Sequence, residues 1–337
     1  MKIGFIIYPA AVINGDANGI RSQAITWKNI LTSNGQDCIL IDSWQSYDWN
    51  TFDAIHIFGY DLNLYHFAKA LFLKNSNLFL SPIIDSNTSY FLYKLSTYNG
   101  LQNFRLYSHN YVLNKSLKYF KSICTRSIHE SKYLSISHNL NPKKLHHIPI
   151  SYSIDIPRNI EQIINHKEEF CFHLSSIYQP RKNVVKLIKA AIKYDFNLLL
   201  GGNIGSPSQY LPIFKAIKNS ANIKVLGYLT MKELINLYTK AKVFALPSLN
   251  EGIGIAALDA SIYGCNIAIT NIRGPKEYYP KTKTVALVDP NDIDCIGQNI
   301  VRLMQTPNTT EVYNHITNKY SSAEVYLKLI NMYSVNP

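Results

Sequence analysis

Ala245-Leu-Pro-Ser-Leu-Asn-Glu-Gly-Ile-Gly-Ile-Ala-Ala-Leu-Asp259 is the stretch on which the fold of this chain turns. The apolar run up to Pro247 reads as a buried strand, and a small-residue helix starts near Ile255. Between them, Ser248, Glu251, Gly252, Ile253 and Gly254 form a loop whose glycines let the backbone turn sharply and approach a ligand. The N–H groups of Gly254 and Ile255, with the helix dipole behind them, make a seat for a diphosphate. A carboxylate beside that seat repels phosphate, so Glu251 is expected to point elsewhere, with sugar hydroxyls as its natural partners. Asp259, about a turn into the helix, can accept hydrogen bonds from ribose hydroxyls. A capped helix after a glycine turn is the plainer alternative, and the residues alone leave both open.

Outward from this stretch, short apolar runs alternate with helix-like segments. In the first half, strands are expected at 2–8, 37–42, 54–58, 78–84, 122–125 and 147–149, with helices over 21–33 and 62–73. From 151 to 167 the apolar period lapses around Pro157, and then the alternation restarts. Strands are expected at 169–174, 197–201, 222–226, 243–246, 266–270 and 285–288. The intervening helices fall at 183–194, 231–241, 255–263 and 292–304, with a closing helix at 322–333. Such alternation predicts α/β units with parallel sheets. The expected architecture is two Rossmann-like domains, 1–155 and 156–320, facing each other across a cleft, with 321–337 packing back on the first.

The 337 residues are 47% hydrophobic and 17% charged, the composition of a packed globular chain. No run approaches the roughly 18–20 apolar residues of a spanning helix. The opening apolar run carries one lysine and ends at Asn14-Gly15, so it reads as a strand and turn and not as a signal peptide. Five scattered cysteines, Cys38, Cys124, Cys171, Cys265 and Cys295, lack metal-ligand spacing and fit a reducing, cytoplasmic setting. A net charge of +12 favours phosphate-bearing partners: nucleic acid, an anionic membrane or phosphorylated small molecules. No nucleic-acid motif is present, and nucleic acid is not expected. Asp292-Ile-Asp294 spells a metal-binding Asp-x-Asp, but its place after Val288-Asp-Pro marks a helix cap, and no metal is expected.

Ser248, Glu251-Gly-Ile-Gly-Ile255 and Asp259 resemble the signature of the family-4 retaining glycosyltransferases, Ser-x-x-Glu-Gly-Phe-Gly-Leu with a second acid eight residues after the first. Gly264, Gly274, Glu277 and Val288-Asp-Pro-Asn-Asp292 continue the match, which is strong over 170–304 and weaker over 1–170. The second acid is usually Glu, so Asp259 is a departure with a shorter reach. Ser175-Ser-Ile-Tyr-Gln-Pro-Arg-Lys182 resembles the family's phosphate loop, which has an early Arg and a final Lys on the donor diphosphate. Lys182 matches the lysine. Ser176 stands where the arginine would be, and Arg181 is the candidate to supply its charge. Cations there stabilise the leaving diphosphate as the glycosidic bond breaks. Val225-Leu-Gly-Tyr-Leu229 resembles the turn whose backbone contacts the base, which makes Gly227 and Tyr228 candidates; a plain strand end is the other reading.

In the first half, residues 14–21 occupy the place of the family's glycine-rich loop, with Gly19 close to the donor. Asp53-Ala-Ile-His56 resembles a family strand whose histidine is structural. The family's active-site histidine has no match near Ile84-Asp85. Asp85 is the nearest polar candidate or a surface turn residue, and His109 is a further candidate. The resemblance implies a metal-independent, retaining GT-B enzyme with no bound cofactor. Its donor would be a nucleotide-diphosphate sugar, a UDP-sugar by preference, and its acceptor a lipid-linked or oligosaccharide chain in O-antigen or capsule synthesis. A nucleotide-sugar epimerase of the same architecture and a non-catalytic nucleotide-sugar-binding protein are the alternatives. Lys115, Lys118 and Lys121, interleaved with Leu113, Leu117, Phe120 and Ile123, suit a helix on the inner face of an anionic membrane or an ordinary surface helix.

Overall fold

The computed structural model describes residues 1–8, 19–86, 88–98, 100–101, 106–218 and 220–334. Residues 14–18, expected to form the glycine-rich loop ahead of Gly19, lie outside the described residues. The chain folds as two units, Met1–Ile150 with Ser322–Pro337, and Ser151–Ser321.

The first unit runs β1 (Lys2–Ile7), α1 (Gly19–Ser33), β2 (Asp37–Leu40), β3 (Ala54–Phe58), α2 (Leu64–Phe72), β4 (Leu78–Ser81) and α3 (Tyr90–Ser96). It continues with a hairpin, β5 (Gly100–Leu101) and β6 (Leu106–Tyr107), then α4 (His109–Ser116), β7 (Ser122–Thr125), α5 (Ile128–Lys132) and β8 (Leu145–His147). The second unit carries α6 (Ile160–Ile164), β9 (Glu168–Leu174), α7 (Val184–Tyr194), β10 (Leu198–Gly201), α8 (Pro207–Ile217), β11 (Ile223–Gly227) and α9 (Met231–Lys240). After these come β12 (Ala241–Leu246), α10 (Ile255–Ile262), β13 (Asn266–Thr270), α11 (Arg273–Tyr278), β14 (Val285–Val288), α12 (Ile293–Gln305) and α13 (Glu311–Lys319). The closing helix α14 (Ser322–Ser334) belongs to the first unit.

Each unit is built on a six-stranded sheet, ordered β2-β1-β3-β4-β7-β8 and β11-β10-β9-β12-β13-β14, and the paired strands are parallel. The two doubly wound α/β sheets expected from the alternation are present. Parallel strands covered by helices on both faces need continuous apolar runs, and every residue of β3, β4, β7 and β13 is buried.

One face of the first sheet packs against Leu64 and Leu71 of α2, Val112 and Leu113 of α4, and Tyr133. The other face packs against Trp27 and Leu31 of α1 and against Val325, Leu329 and Met332 of α14. His56 anchors α14 from within β3. Its Nδ1 lies 2.8 Å from the Tyr333 hydroxyl and its Nε2 2.8 Å from Ser81 Oγ, so it is structural, as expected. Burial pushes His56 down to about 3 and His138 down to about 4, so both are neutral in the folded unit.

The stretch 113–126 is not one amphipathic helix. α4 ends at Ser116, whose hydroxyl bonds back to the Val112 carbonyl, and a 3₁₀ turn, Leu117–Tyr119, follows. Phe120 is extended, and the Lys121 amide pairs with the Leu78 carbonyl at 2.8 Å, so the chain enters the sheet as β7. The spacing of three between the lysines is therefore spread over a helix end, a turn and a strand entrance. Among the described residues no helix is long and apolar enough to cross a membrane.

A buried neutral histidine stabilises the fold fully above its unfolded pKa, near 6.5, and that stability is lost as pH falls toward the lowered folded value. Each of His56 and His138 thus contributes a slope approaching ~1.4 kcal/mol per pH unit between about pH 6 and 4. All three tryptophans, Trp27, Trp44 and Trp49, lie in the first unit, so their fluorescence during urea unfolding follows that unit alone. The unfolding midpoint is expected to fall steeply on acidification. His56→Leu should remove a substantial part of that slope and lower stability at neutral pH by about 1–3 kcal/mol, because Tyr333 and Ser81 lose their shared partner.

Candidate functional site

In the second sheet the strand order reverses between β9 and β12, and a doubly wound sheet opens a crevice at the carboxyl ends of such strands. β9 runs out into 175–182 and β12 into 247–254, the two loops singled out from the sequence. Leu249 N bonds the Arg181 carbonyl at 2.8 Å and ties these loops together. Lys182 and Glu251 meet there with Nζ 2.7 Å from Oε2, their side chains 12% and 11% exposed. Ser248 Oγ donates to the same carboxylate oxygen at 3.0 Å. A cation, a carboxylate and a hydroxyl are thus held together, largely out of water, at the point where the fold places ligands.

Two residues that the sequence reading passed over fix this geometry. Asn183, buried and left-handed at φ 61°, donates from Nδ2 to the Pro247 carbonyl at 2.9 Å and the Pro290 carbonyl at 2.7 Å. It joins the loops after β9, β12 and β14. His173, fully buried in β9, has Nδ1 2.8 Å from the Ala245 carbonyl and Nε2 2.7 Å from Ser175 Oγ. Because a carbonyl can only accept, Nδ1 carries the proton and Nε2 accepts from the serine. Burial pushes this histidine down to about 4, which keeps it neutral. A histidine inside the apolar run Phe170-Cys-Phe-His-Leu174 was the available signal, since a buried polar group needs partners.

The glycine turn is equally constrained. Gly254 sits at φ 89° at the start of α10, where a Cβ would press on Ile269 Cδ1 at 3.0 Å. It offers no side chain to cap the helix, so the first turn keeps its amides for an anion. The Tyr279 hydroxyl, from the residue after α11, donates to the Gly254 carbonyl at 2.9 Å. Gly274, in the first turn of α11, lies so close to Gly252 that a Cβ on it would collide with the Gly252 carbonyl oxygen. Ile253 is buried beneath the turn and Ile255 is half-buried.

Ser176 is buried, and its carbonyl accepts from Gln179 N at 3.0 Å, closing the turn before the Pro180–Lys182 3₁₀ segment. Arg181 extends outward with Nε on Gln179 Oε1 at 2.9 Å. Gly227 ends β11 at φ 69° with open space around it, and Tyr228 beside it is exposed.

Asp259, the residue expected to face a ribose, is bonded here to Ser153. Its Oδ1 accepts from Ser153 N at 2.6 Å and its Oδ2 from Ser153 Oγ at 2.6 Å, so α10 is tied to the segment that enters the unit. Burial raises this carboxyl to about 6, and the Ser153 bonds hold it from rising further. Asp292 accepts from Asp294 N and Cys295 N as the cap of α12, whereas Asp294 bonds the Tyr194 hydroxyl at 2.8 Å and pairs with Lys193. The two acids of Asp-x-Asp therefore serve separate structural contacts.

In the first unit, Asp85 Oδ1 lies 2.6 Å from Arg126 Nη2. Arg126 is buried beside Glu130, with Nε 3.2 Å from Oε2. Glu130 also accepts from Ile84 N at 2.6 Å and Arg126 N at 2.7 Å. These bonds hold Ile83 at φ 60°, a strained backbone for a β-branched residue, and such strain collects at sites of function. Gly19 opens α1 with open space around it, and His109 opens α4 on the surface.

Residues 155–320 match the family model described as glycosyl transferases group 1. The chain is 29% identical over 141 residues to O-antigen chain mannosyltransferase B of Escherichia coli, a match covering 40% of this chain and 36% of that protein. It therefore spans only about a third of the length of that relative. A glycosyltransferase structure from Rickettsia africae superposes with a TM-score of 0.72 at 16% identity, covering 98% of this chain and 97% of that one. The structure of an Anabaena protein, HepE, in complex with UDP and glucose gives a TM-score of 0.70 at 13% identity, covering 100% of both chains. These likenesses make the fold GT-B.

His173 and Asp259 act on acid stability with opposite signs. The lowered His173 loses stability as pH falls from about 6.5 toward 4, whereas the raised Asp259 regains it as pH falls from about 6 toward 3.8. These two contributions should therefore partly offset each other over this range. Asp259→Asn is expected to expose the His173 slope of up to ~1.4 kcal/mol per pH unit. The check is amide exchange of the β12 and β13 peptides, corrected for intrinsic rates, in wild type and variant. Gly274→Ala should lower the thermal midpoint of the second unit by displacing the Gly252 carbonyl, whereas the tryptophan-reported midpoint of the first unit stays put.

Proposed function

With residues 155–320 matching the model of the group 1 glycosyl transferases, we propose that the chain is a retaining glycosyltransferase of surface-polysaccharide synthesis, moving a sugar from a nucleoside diphosphate sugar to a saccharide acceptor. The observation that carries this reading is the Lys182–Glu251 pair at the strand reversal, beside an uncapped helix start. In the donor complex Lys182 turns from Glu251 to a phosphate oxygen, and the Gly254 and Ile255 amides hold the same diphosphate. Glu251, released, accepts hydrogen bonds from the sugar hydroxyls.

As the glycosidic bond breaks, negative charge grows on the departing diphosphate. Fixed donors there stabilise the transition state more than the bound donor. Arg181 takes the place of the arginine missing at Ser176, and the Gly227–Tyr228 turn receives the base. Asp85, pinned by Arg126, is assigned to the acceptor hydroxyl. Positioning and charge do the work, and no covalent nucleophile, metal or cofactor is part of the scheme.

The donor is read as a UDP-sugar. A mannosyl nucleotide is the second reading, favoured by the likeness to a mannosyltransferase. The acceptor is read as lipid-linked, with Lys115, Lys118 and Lys121 at the headgroups of the inner membrane face. A binder without transfer would differ by holding nucleotide sugars without turnover, and an epimerase by releasing free sugar with no acceptor present.

Thermal-shift screening with UDP-, GDP- and dTDP-sugars is expected to find one donor that stabilises the protein. Lys182→Met should then cut kcat by about 10²–10³. Glu251→Gln should weaken transfer while leaving the affinity for the free nucleoside diphosphate nearly unchanged. Because each single change leaves a largely buried charge alone, Lys182→Met/Glu251→Gln serves as the folding control. Wild-type rates in Lys182→Met would remove that residue from its assigned role.

A further inference from the structure

In the first unit, residues 84–90 are tied bond by bond to residues 126–137. The two segments leave the carboxyl ends of the paired parallel strands β4 and β7, the edge at which such a sheet takes its ligands. Ile84 N donates to Glu130 Oε1 at 2.6 Å, and Arg126 Nη2 donates to Asp85 Oδ1 at 2.6 Å. The Tyr133 hydroxyl lies 2.8 Å from the Ser86 carbonyl oxygen and 2.6 Å from that of Thr88. Ser137 Oγ donates to the Tyr90 carbonyl at 3.0 Å. Tyr133 to Ser137 form a π-turn, a rare conformation that recurs at functional sites.

Stability alone does not account for this arrangement. Arg126 and Glu130 are buried, and burying paired charges adds little net stability. The left-handed backbone of Ile83 costs further energy. Residues 62–145 carry eleven Lys and Arg but only two acids, Asp85 and Glu130, and both acids are gathered on Arg126. The Arg126 side chain is 9% exposed, whereas that of Asp85 is 42% exposed. The inner end of the network is thus sealed, and its outer end presents a carboxylate to solvent on a loop fixed at Ile84, Ser86 and Thr88.

We propose that Glu130 and Tyr133 are positioning residues that hold Asp85 ready for a hydroxyl of the acceptor, and that the sugar taken there is uncharged. The inference rests on the assignment of Asp85 to the acceptor in the proposed function. A carboxylate held in place before the sugar arrives need not be ordered on binding. Two carboxylates on one guanidinium leave a surplus negative charge, which suits a hydroxyl donor and repels a uronate or a phosphate. A divalent cation is opposed at the same carboxylate by Arg126, and no metal-holding group occurs among the described residues.

The test gives the full chain its stabilising donor and p-nitrophenyl glucoside, galactoside and mannoside, each beside the uronide of the same configuration. Wild type is expected to use at least one hexoside and to use its uronide at least about tenfold less well in kcat/KM. Tyr133→Phe keeps the ring packed on Tyr90 and Tyr93 and removes only the hydroxyl. It should raise KM for the accepted hexoside about tenfold, with kcat and the donor-induced thermal shift unchanged. Asp85→Asn should raise KM at least as much, and Tyr133→Phe/Asp85→Asn no further, because Tyr133 acts through that carboxylate. A lower tryptophan-reported urea midpoint in Tyr133→Phe with KM unmoved, or effects on KM that simply multiply, would make Tyr133 structural and overturn its role. A uronide used as readily as its hexoside overturns the uncharged class. Donor hydrolysis by wild type with transfer to no hexoside overturns the inference alone, whereas a chain that neither binds nor turns over any donor removes the proposed function and this inference with it.

Discussion

Lys182 and Glu251 lie 69 residues apart in the sequence and 2.7 Å apart in space, nearly sealed from water, and the second unit is organised around holding them there. Such a pair contributes little net stability, because removing two charges from water offsets most of their attraction. Apolar residues of similar volume would serve the fold as well. The surrounding bonds nevertheless fix the pair closely: Ser248 on the carboxylate, Asn183 across three loops, and His173 beneath the ends of β9 and β12. A charge pair built this carefully at a strand reversal is better explained by a ligand that separates the partners than by stability.

The same constraint explains the glycines. The turn from Gly252 to Gly254 must bring the start of α10 up to the pair while passing directly against Gly274. A side chain at Gly274 would push the turn away, and a side chain at Gly254 would strain it. Capping of α10 is left undone at a helix start where an anion would complete it. Helix α12, by contrast, is capped by its own Asp292.

Much of this was legible in the sequence, because buried parallel strands leave unbroken apolar runs and the loop from Ser248 to Gly254 combines unusual residues at fixed spacing. The positions of Lys182, Glu251 and the glycines followed from that pattern. The Asp259–Ser153 bonds did not, since nothing in the spacing reveals that Ser153, 106 residues away, meets both carboxylate oxygens. The lysines at 115, 118 and 121 do not share one helix, because a period of three is also met by a helix end running into a strand. Short helices such as α3 and α11 passed unread, being too brief for a 3.6-residue period to stand out. His56 was recognisable as structural, but its bond to Tyr333 depends on how the closing helix returns to the first sheet.

The most direct measurement is the structure of this chain with an intact nucleotide sugar bound. The predicted result has Lys182 Nζ within about 3 Å of a diphosphate oxygen and the Glu251 carboxylate on hydroxyls of the sugar. A donor bound with the Lys182–Glu251 pair still closed, or a diphosphate seated away from the Gly254–Ile255 amides, would contradict the assignment of this site.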